Sequence, residues 1–184
     1  ELKCVLENVD VDGTPRLNYT EGRTVNPGHD IEGVWFLLEH AQRTGDTELV
    51  KKAAEIFDWA IEAGWDNEYG GLLYFTDCLK KPPEAYEHDM KLWWPHNEIL
   101  IASLMLYRDT GDEKYLNIAK SKVEYLEKEA LRFGDHVLQH TVSVNNDFPE
   151  QAWADTLFMA GFFLLRMGVL LKDEQLIDDA LNQY

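Results

Sequence analysis

The sequence has little of several features that mark other classes of protein. Its 184 residues include only two cysteines, Cys4 and Cys78, which are far apart and form no CxxC pair, so we predict neither a disulfide framework nor a structural zinc site. No apolar run reaches the roughly 18 residues that a membrane-spanning helix needs. Because a signal-peptide pattern is also missing, we expect a cytoplasmic protein without a membrane partner.

Basic residues are scarce relative to acidic ones. The chain carries 17 Lys and Arg against 34 Asp and Glu, a formal net charge of −17. Nucleic acids and anionic membranes are bound mainly through Lys and Arg on phosphate, so the charge argues against both as partners. The motifs GxGxxG, GxxxxGK[ST] and GxSxG are absent, which leaves nucleotide-loop and nucleophile-elbow mechanisms without support. We therefore expect no cofactor.

What the chain does contain is a pattern that occurs three times. A Pro-containing cluster of Trp, His and carboxylate residues precedes an apolar stretch, a turn with Arg and Gly, and a second amphipathic stretch. This pattern predicts helical hairpins that recur about every 60 residues and need neighbours to bury their faces. The length allows one all-α domain with a core, residues 1–184. The units run from Asn26 to Glu62, from Lys91 to Glu129 and from Phe148 to Tyr184, with turns at 43–46, 108–112 and 166–168.

Each polar cluster falls near the start of a predicted helix. Asn26 can cap a helix whose first residue is Pro27, since proline lacks the amide hydrogen and already has a helical φ. Pro149 offers a similar start, and Pro95 a start or a kink. If the three apolar helices lie side by side as an inner layer, the polar side chains meet at one end. That set comprises His29, Glu32, Glu98 and Asp155.

Aromatic residues accompany these acids. A cleft lined by Trp and carboxylates is typical of sugar sites, because aromatic faces stack on C–H surfaces and carboxylates accept hydrogen bonds from hydroxyls. The alternative is that each Trp is simply part of the core. The recurrence in three units favours a shared sugar-binding cleft. The tryptophans are Trp35, Trp93, Trp94 and Trp153.

The segments between the units predict less regular structure. Glycines flank an aromatic segment with a period of two residues at 64–77, which indicates a short β-hairpin or edge strand near 70–77. Residues 133–146 are the most irregular part of the chain, and residues 1–25 have no strong period. We expect the segment at 64–77 to lie at the rim of the cleft.

His29 is the strongest candidate for proton transfer. It lies three residues before Glu32, on the same helical face. The helix N-terminus disfavours an imidazolium and the carboxylate favours it, so the two effects can hold the histidine near neutrality. Structural capping is the alternative. His96 and Glu98 fall on different helical faces, which makes a joint role less natural.

Two further candidates lie towards the end of the chain. His136 and His140 have the spacing of a metal pair, but the segment is not convincingly helical and no HExxH pattern completes it, so we predict no metal site. Asp155 follows Trp153 at the start of an apolar helix. Burial there would raise its pKa and make it a proton donor.

Three ordered motifs carry a resemblance to a known family. They closely resemble the N-acylglucosamine 2-epimerase (renin-binding protein) family, whose relatives include cellobiose 2-epimerase, over residues 20 to about 128. The resemblance implies an (α/α)6 toroid and reversible epimerisation at C2, in which histidines remove and replace the proton next to the carbonyl of an open-chain sugar. It implies that His29 is catalytic, that Glu32 is its acidic partner, and that Trp94 and Glu98 are sugar-site residues. The motifs are residues 26–38, 64–75 and 90–98.

The end of the chain resembles a different family. Residues 153–168 look like those of the unsaturated rhamnogalacturonyl hydrolases, also (α/α)6 proteins, where the Asp of this motif donates the proton that starts hydration of an unsaturated uronic acid. That resemblance would make Asp155 the equivalent residue. It also divides the chain into epimerase-like hairpins (1–130) and a hydrolase-like hairpin (131–184).

Three functional hypotheses follow. The chain is about half of an (α/α)6 toroid, because it has three hairpins and lacks the downstream segment that holds the family's second catalytic histidine. The first hypothesis is a sugar 2-epimerase or isomerase that is incomplete as a single chain. The second is an unsaturated uronide hydrolase using Asp155, and the third is a non-catalytic chimeric or designed scaffold. Open toroid edges would expose apolar surface, so we expect self-association.

Overall fold

A computed structural model describes residues 2–142 and 149–184 and shows a mainly helical chain. The predicted all-α class with helical hairpins is confirmed. A 3₁₀ helix, Glu21–Arg23, precedes the first strand, and a π-helical segment, Leu157–Gly161, joins two of the helices. The α-helices are α1 (Pro27–Thr44), α2 (Thr47–Gly64), α3 (Trp93–Thr110), α4 (Glu113–Glu129), α5 (Ala154–Thr156), α6 (Phe162–Leu171) and α7 (Glu174–Asn182).

The first two hairpins begin and turn where the sequence predicts. The Asn26 side chain accepts a hydrogen bond from the His29 backbone N–H, with Pro27 as the first helical residue. Both first helices end at a glycine in the left-handed region, Gly45 (φ 71°) and Gly111 (φ 71°). These caps make each turn short, so α1 lies against α2 and α3 against α4.

The third hairpin differs from its predicted bounds. Its first helix begins at Ala154, and Pro149 lies in a turn before it; the predicted start of the unit, Phe148, is outside the described residues. Gly168 does not form the turn, because it lies inside α6, where an added Cβ would be 2.7 Å from Ile177 Cγ1. The helix ends instead at Leu171 and is followed by Lys172, whose φ is 58°. Gly168 therefore permits close helix packing rather than chain reversal.

Two small antiparallel sheets accompany the helices. Strand β1 (Thr24–Val25) pairs with β2 (Thr76–Asp77), and β3 (Arg132–Phe133) pairs with β4 (Val137–Leu138). The strand expected near residues 70–77 exists, but its partner is β1 rather than a neighbouring strand. The local antiparallel contact is an isolated bridge between residues 65 and 72. The expected hairpin is thus two separate features. Residues 65–72 form a turn closed by one bridge, and β2 pairs with β1 in the segment before α1.

The helices enclose two hydrophobic clusters. The first fills the space between α1, α2 and α3 and includes Phe57, which is fully buried. The second lies between α3, α4, α6 and α7 and includes Trp93. Because α3 contributes to both clusters, the core is continuous from the first hairpin to the third.

One helical stretch is long and apolar enough to cross a membrane by length and composition, although Asp155 and Arg166 interrupt it, so it is not an uninterrupted apolar run. The helical residues 154–171 form one window of 18 residues with a mean hydropathy of 1.6, and 28% of it is buried. It is the single candidate in the part of the chain that the structure describes. One such helix is weak evidence, since core helices of soluble proteins pass the same test.

Candidate functional site

The N-terminal turns of α1 and α3 are in close contact. An added Cβ on Gly28 would lie 2.6 Å from the Trp94 ring and 3.0 Å from Pro95 Cβ. Only glycine allows the first turn of α1 to come this near to the indole. The predicted inner layer, with polar clusters meeting at one end, is observed for these two helices.

His29 lies at this junction and is half exposed. Its Nδ1 is 3.1 Å from Glu7 Oε1, and its ring centroid is 5.3 Å from that of Trp94, with the planes 36° apart. The histidine side chain is 50% exposed and that of Glu7 is 27% exposed. One ring nitrogen therefore faces a carboxylate while the rest of the imidazole remains accessible.

Further along the same two helices, Glu98 and Trp35 form a second polar contact, after the one between His29 and Glu7. Trp35 donates its indole N–H to Glu98 Oε2 at 2.5 Å. Burial raises the pKa of the Glu98 carboxyl, the Trp35 hydrogen bond opposes this, and the nearby charge of Glu32 raises it further. Two acids and a tryptophan thus lie together one to two turns along the helices from His29.

These residues form one strip, which we call the α1/α3 strip. The α1 residues are spaced by three, and the α3 residues by four, so each set follows one helical face. Aromatic faces and carboxylates alternate along it, which is the chemistry that binds a sugar ring. The α1/α3 strip consists of His29, Glu32, Trp35, Trp94 and Glu98.

Two sequence interpretations need correction here. The described carboxylate partner of His29 is Glu7, whereas Glu32 lies beside Glu98. The reason is that Glu7 reaches His29 from the N-terminal segment, whose Glu7 N–H donates to Thr24 O at 3.1 Å. Trp93 is core, since it is 2% exposed and its indole N–H donates to Gln139 O.

His96 has a structural role. It is fully buried, its Nδ1 is 2.6 Å from Leu92 O, and its Nε2 accepts from the Leu72 backbone N–H at 3.0 Å. A neutral imidazole therefore uses both ring nitrogens: Nδ1–H donates a hydrogen bond and Nε2 accepts one. Burial lowers the pKa of His96 to about 4, with the hydrogen bond to Leu92 opposing and the charges of Lys122 and Lys91 adding to the decrease.

Asp155 lies in a separate cluster at the start of α5. It is 3.7 Å from His140 Nδ1, and that nitrogen is 3.1 Å from the Thr156 hydroxyl. The Trp153 ring stacks on His140 with centroids 4.1 Å apart. Burial lowers the pKa of His140 and Asp155 opposes this. The expected burial of Asp155 is wrong, because its side chain is 48% exposed.

Sequence reasoning missed two acids near His29. Glu7 belongs to the N-terminal segment without periodicity, so no pattern marks it. Asp30 is buried behind the first turn of α1, where burial raises its pKa to about 7, against the hydrogen bond from the Val5 N–H. Within the described residues, no group of three or more His, Cys, Asp or Glu is arranged to hold a metal ion.

Comparison with known proteins places this geometry in a family. A family model described as N-acylglucosamine 2-epimerase (GlcNAc 2-epimerase) matches residues 5–137. The chain is 48% identical over 124 residues to N-acylglucosamine 2-epimerase of Rattus norvegicus, which covers 67% of the chain and 29% of the relative. It therefore spans less than a third of that protein's length.

Two other similarities extend the picture. The chain is 49% identical over 82 residues to unsaturated rhamnogalacturonyl hydrolase YesR of Bacillus subtilis, covering 44% of the chain and 24% of that protein. Its fold matches cellobiose 2-epimerase from Bacillus thermoamylovorans B4167 with a TM-score of 0.68, at 15% identity over 86% of the chain and 44% of the other. The latter supports the toroid architecture for the helical hairpins. On its family match, the chain belongs to the N-acylglucosamine 2-epimerase family.

Proposed function

We propose that the α1/α3 strip is part of a sugar 2-epimerase site in which His29 transfers the proton at C2. The observation that carries this proposal is the contact between His29 Nδ1 and Glu7. If Nδ1 carries the hydrogen and donates it to the carboxylate, Nε2 keeps a lone pair, on a side chain that is 50% exposed. That nitrogen can accept the C2 proton of an open-chain sugar and return it.

The rest of the strip suits the sugar. Trp94 presents a face beside His29 on which the C–H surface of a sugar can lie. Glu98 and Glu32 can accept hydrogen bonds from hydroxyls, and Trp35 keeps Glu98 in place. Burial raises the pKa of the Glu98 carboxyl, which favours its protonated form relative to an exposed glutamate.

The strip supplies one side of such a site. Removal of a proton from one face of C2 and delivery to the other requires a second group across the sugar. The chain spans 29% of the rat relative, and its fold covers 44% of the cellobiose epimerase. We therefore propose that further helices complete the toroid and that residues 1–184 alone bind sugar better than they epimerise it.

The direct test is deuterium uptake at C2 of N-acetylglucosamine, N-acetylmannosamine or cellobiose in heavy water. His29→Asn keeps the size of the side chain but removes the base, so exchange should fall by about 10²-fold or more. His40→Asn is the matched control, because His40 is exposed near the other end of α1. Exchange that is measurable in the unsubstituted chain and equally fast in both variants would refute the role of His29.

A binding measurement needs no turnover. Tryptophan fluorescence titrated with the same sugars should change on binding, and Trp94→Ala should abolish most of the change while Trp59→Ala on α2 preserves it. A titration that is flat for all three sugars would remove the support for a sugar site on this strip.

A second function has its own observation. The Asp155 carboxylate lies beside His140, with Trp153 stacked on that histidine, and the chain shares 49% identity over 82 residues with a rhamnogalacturonyl hydrolase. An unsaturated uronide could stack on Trp153 and receive a proton from Asp155. Hydration of its double bond would remove the ultraviolet absorbance. We rank this function second because the Asp155 side chain, which was expected to be buried, is 48% exposed.

The two similarities also support a hybrid origin. The aligned stretches, of 124 and 82 residues, together exceed the 184 residues of the chain, so they overlap. We propose epimerase-like hairpins over 1–130 and a hydrolase-like hairpin over 131–184. If the chain neither binds sugars nor turns over uronides, it is best described as a non-catalytic scaffold of this fold.

A further inference from the structure

The two cysteines, distant in sequence, lie together in the fold. Both line one cavity of about 460 Å³ beside β1, and each thiol is near enough to influence the pKa of the other. Val25 of β1 lines the same cavity. No sequence pattern pairs them, because 73 residues separate Cys4 from Cys78.

The backbone around β1 explains the encounter. On one edge, the Cys78 N–H donates to Arg23 O at 2.9 Å, where β2 pairs with β1. On the other, the Glu7 N–H donates to Thr24 O at 3.1 Å. Successive carbonyls of an extended chain point to opposite sides, so the segments that carry the two cysteines flank the same short strand.

We propose that Cys4 and Cys78 form an intramolecular disulfide when the folded chain meets a peroxide oxidant. Burial raises the pKa of both thiols, but the charge of Arg23 opposes the increase only at Cys78, so Cys78 is the thiol that more readily becomes a thiolate. That thiolate attacks one oxygen of hydrogen peroxide, breaking the O–O bond and giving a sulfenic acid and hydroxide. Cys4 then attacks the Cys78 sulfur; its proton and the sulfenic hydroxyl leave as water, and the S–S bond forms.

The reaction should be slow at neutral pH and faster in mild alkali. Burial raises the pKa of Cys4 to about 11. Burial also raises the pKa of Cys78, where the charge of Arg23 opposes the increase. The carboxylates of Asp30 and Asp77 face the two thiols and disfavour a thiolate further. This pair therefore suits a bond that forms under sustained oxidation rather than a rapid peroxide sensor.

The bond would act on the strip described above. Cys4 is followed by Val5, whose N–H donates to Asp30, and then by Glu7, which contacts His29. A covalent link from Cys4 to Cys78, the residue after β2, would hold this segment, and with it the carboxylate that faces the histidine. This consequence rests on the proposed role of His29, whereas formation of the disulfide does not.

The test begins with thiol counting on the folded, reduced chain treated with hydrogen peroxide at neutral pH and in mild alkali. We expect loss of both thiols, a mass lower by two hydrogens, a peptide joining residues 4 and 78, and recovery with dithiothreitol. Closing so long a loop should raise Tm by about 10 °C. Cys4→Ser and Cys78→Ser should each keep one thiol, or oxidise it without the Tm increase.

Several results would overturn the proposal. They are persistence of both thiols under oxidation in alkali, conversion of each to a sulfinic acid without a link, or a disulfide between two chains on a non-reducing gel. A disulfide that forms while the His29→Asn exchange result fails would leave the proposal standing and refute only the proposed function.

Discussion

The first and third hairpins have similar lengths of apolar sequence but bury them differently. In the first, α1 and α2 enclose a set of fully buried side chains that includes Phe57. In the third, Phe158, Val169 and Leu170 are each more than 60% exposed. The first hairpin packs against α3 and also contacts the N-terminal segment, whereas the third packs against α3 and leaves these three side chains exposed. Burial in a repeat fold therefore depends on position in the array as much as on sequence.

The same difference is visible in the helices. The first helix of the first hairpin is regular over 18 residues, while that of the third is interrupted by the π-helical segment 157–161. An Asp side chain caps the second helix of each pair, at Asp46 and Asp173. Local capping is thus alike, and the contrast lies in tertiary packing.

The largest expected effect breaks the first hairpin. Phe57→Ala should lower the free energy of unfolding by about 3–5 kcal/mol, because it leaves a cavity in a fully buried site. Phe158→Ala in the third hairpin should change it by less than about 0.5 kcal/mol, since that ring is 63% exposed. Urea denaturation followed by circular dichroism measures both. Equal losses would show that the third hairpin is covered in solution.

A second prediction concerns how the free energy of unfolding depends on pH through His96, a buried residue of α3. His96 has a pKa of about 4 in the folded chain against an ordinary value of 6.5, so between these values the unfolded chain binds more protons. Stability should be complete above pH 6.5 and fall by about 3 kcal/mol as the pH approaches 4. Denaturation at several pH values checks this, and His96→Gln should flatten that part of the profile. A loss of stability towards pH 4 that is steeper in His96→Gln than in the unsubstituted chain would contradict this prediction.

A third prediction sharpens the contrast between the open faces. If the chain self-associates, the exposed rings of the third hairpin should form the contact, and Phe158→Arg should weaken association by about tenfold. Phe36→Arg on α1, 52% exposed, is the control and should leave it unchanged. Light scattering across a dilution series reads out both. A monomer at every concentration, without dye-binding apolar surface, would reject the prediction of self-association.

The smallest expected effect is at Asp155. Because its side chain is 48% exposed, Asp155→Asn should change the free energy of unfolding by less than about 0.5 kcal/mol. We also expect no loss of absorbance from an unsaturated uronide with either chain. Turnover that disappears in the variant would make the hydrolase function the leading one.

The sequence predicts well those features that are decided by a few adjacent residues. Asn26 with Pro27 predicts the start of α1, and Gly45 and Gly111 predict the turns, because each requires a particular backbone group or φ. The meeting of His29 and Trp94 follows from placing each at the start of an inner helix.

Features decided by distant segments could not be predicted. Glu7 reaches His29 across 22 positions, and Cys4 meets Cys78 through β1, and neither segment has a periodic pattern. Gly168 misled the prediction because a helical glycine required by close packing and a glycine in a turn look alike in sequence. The start of the third hairpin was misplaced at Pro149, since proline favours a turn as well as a helix start.

The position of α3 between the two hydrophobic clusters has a consequence for recombination. One side of this helix fits the first hairpin and another fits the third, so an exchanged flanking hairpin needs to match only the side that it meets. Crossovers placed in the loop after α4 would leave both the α1/α3 and the α3/α4 contacts intact. Libraries that shuffle hairpins between toroid enzymes should therefore yield more folded chains when the middle pair is inherited as one block.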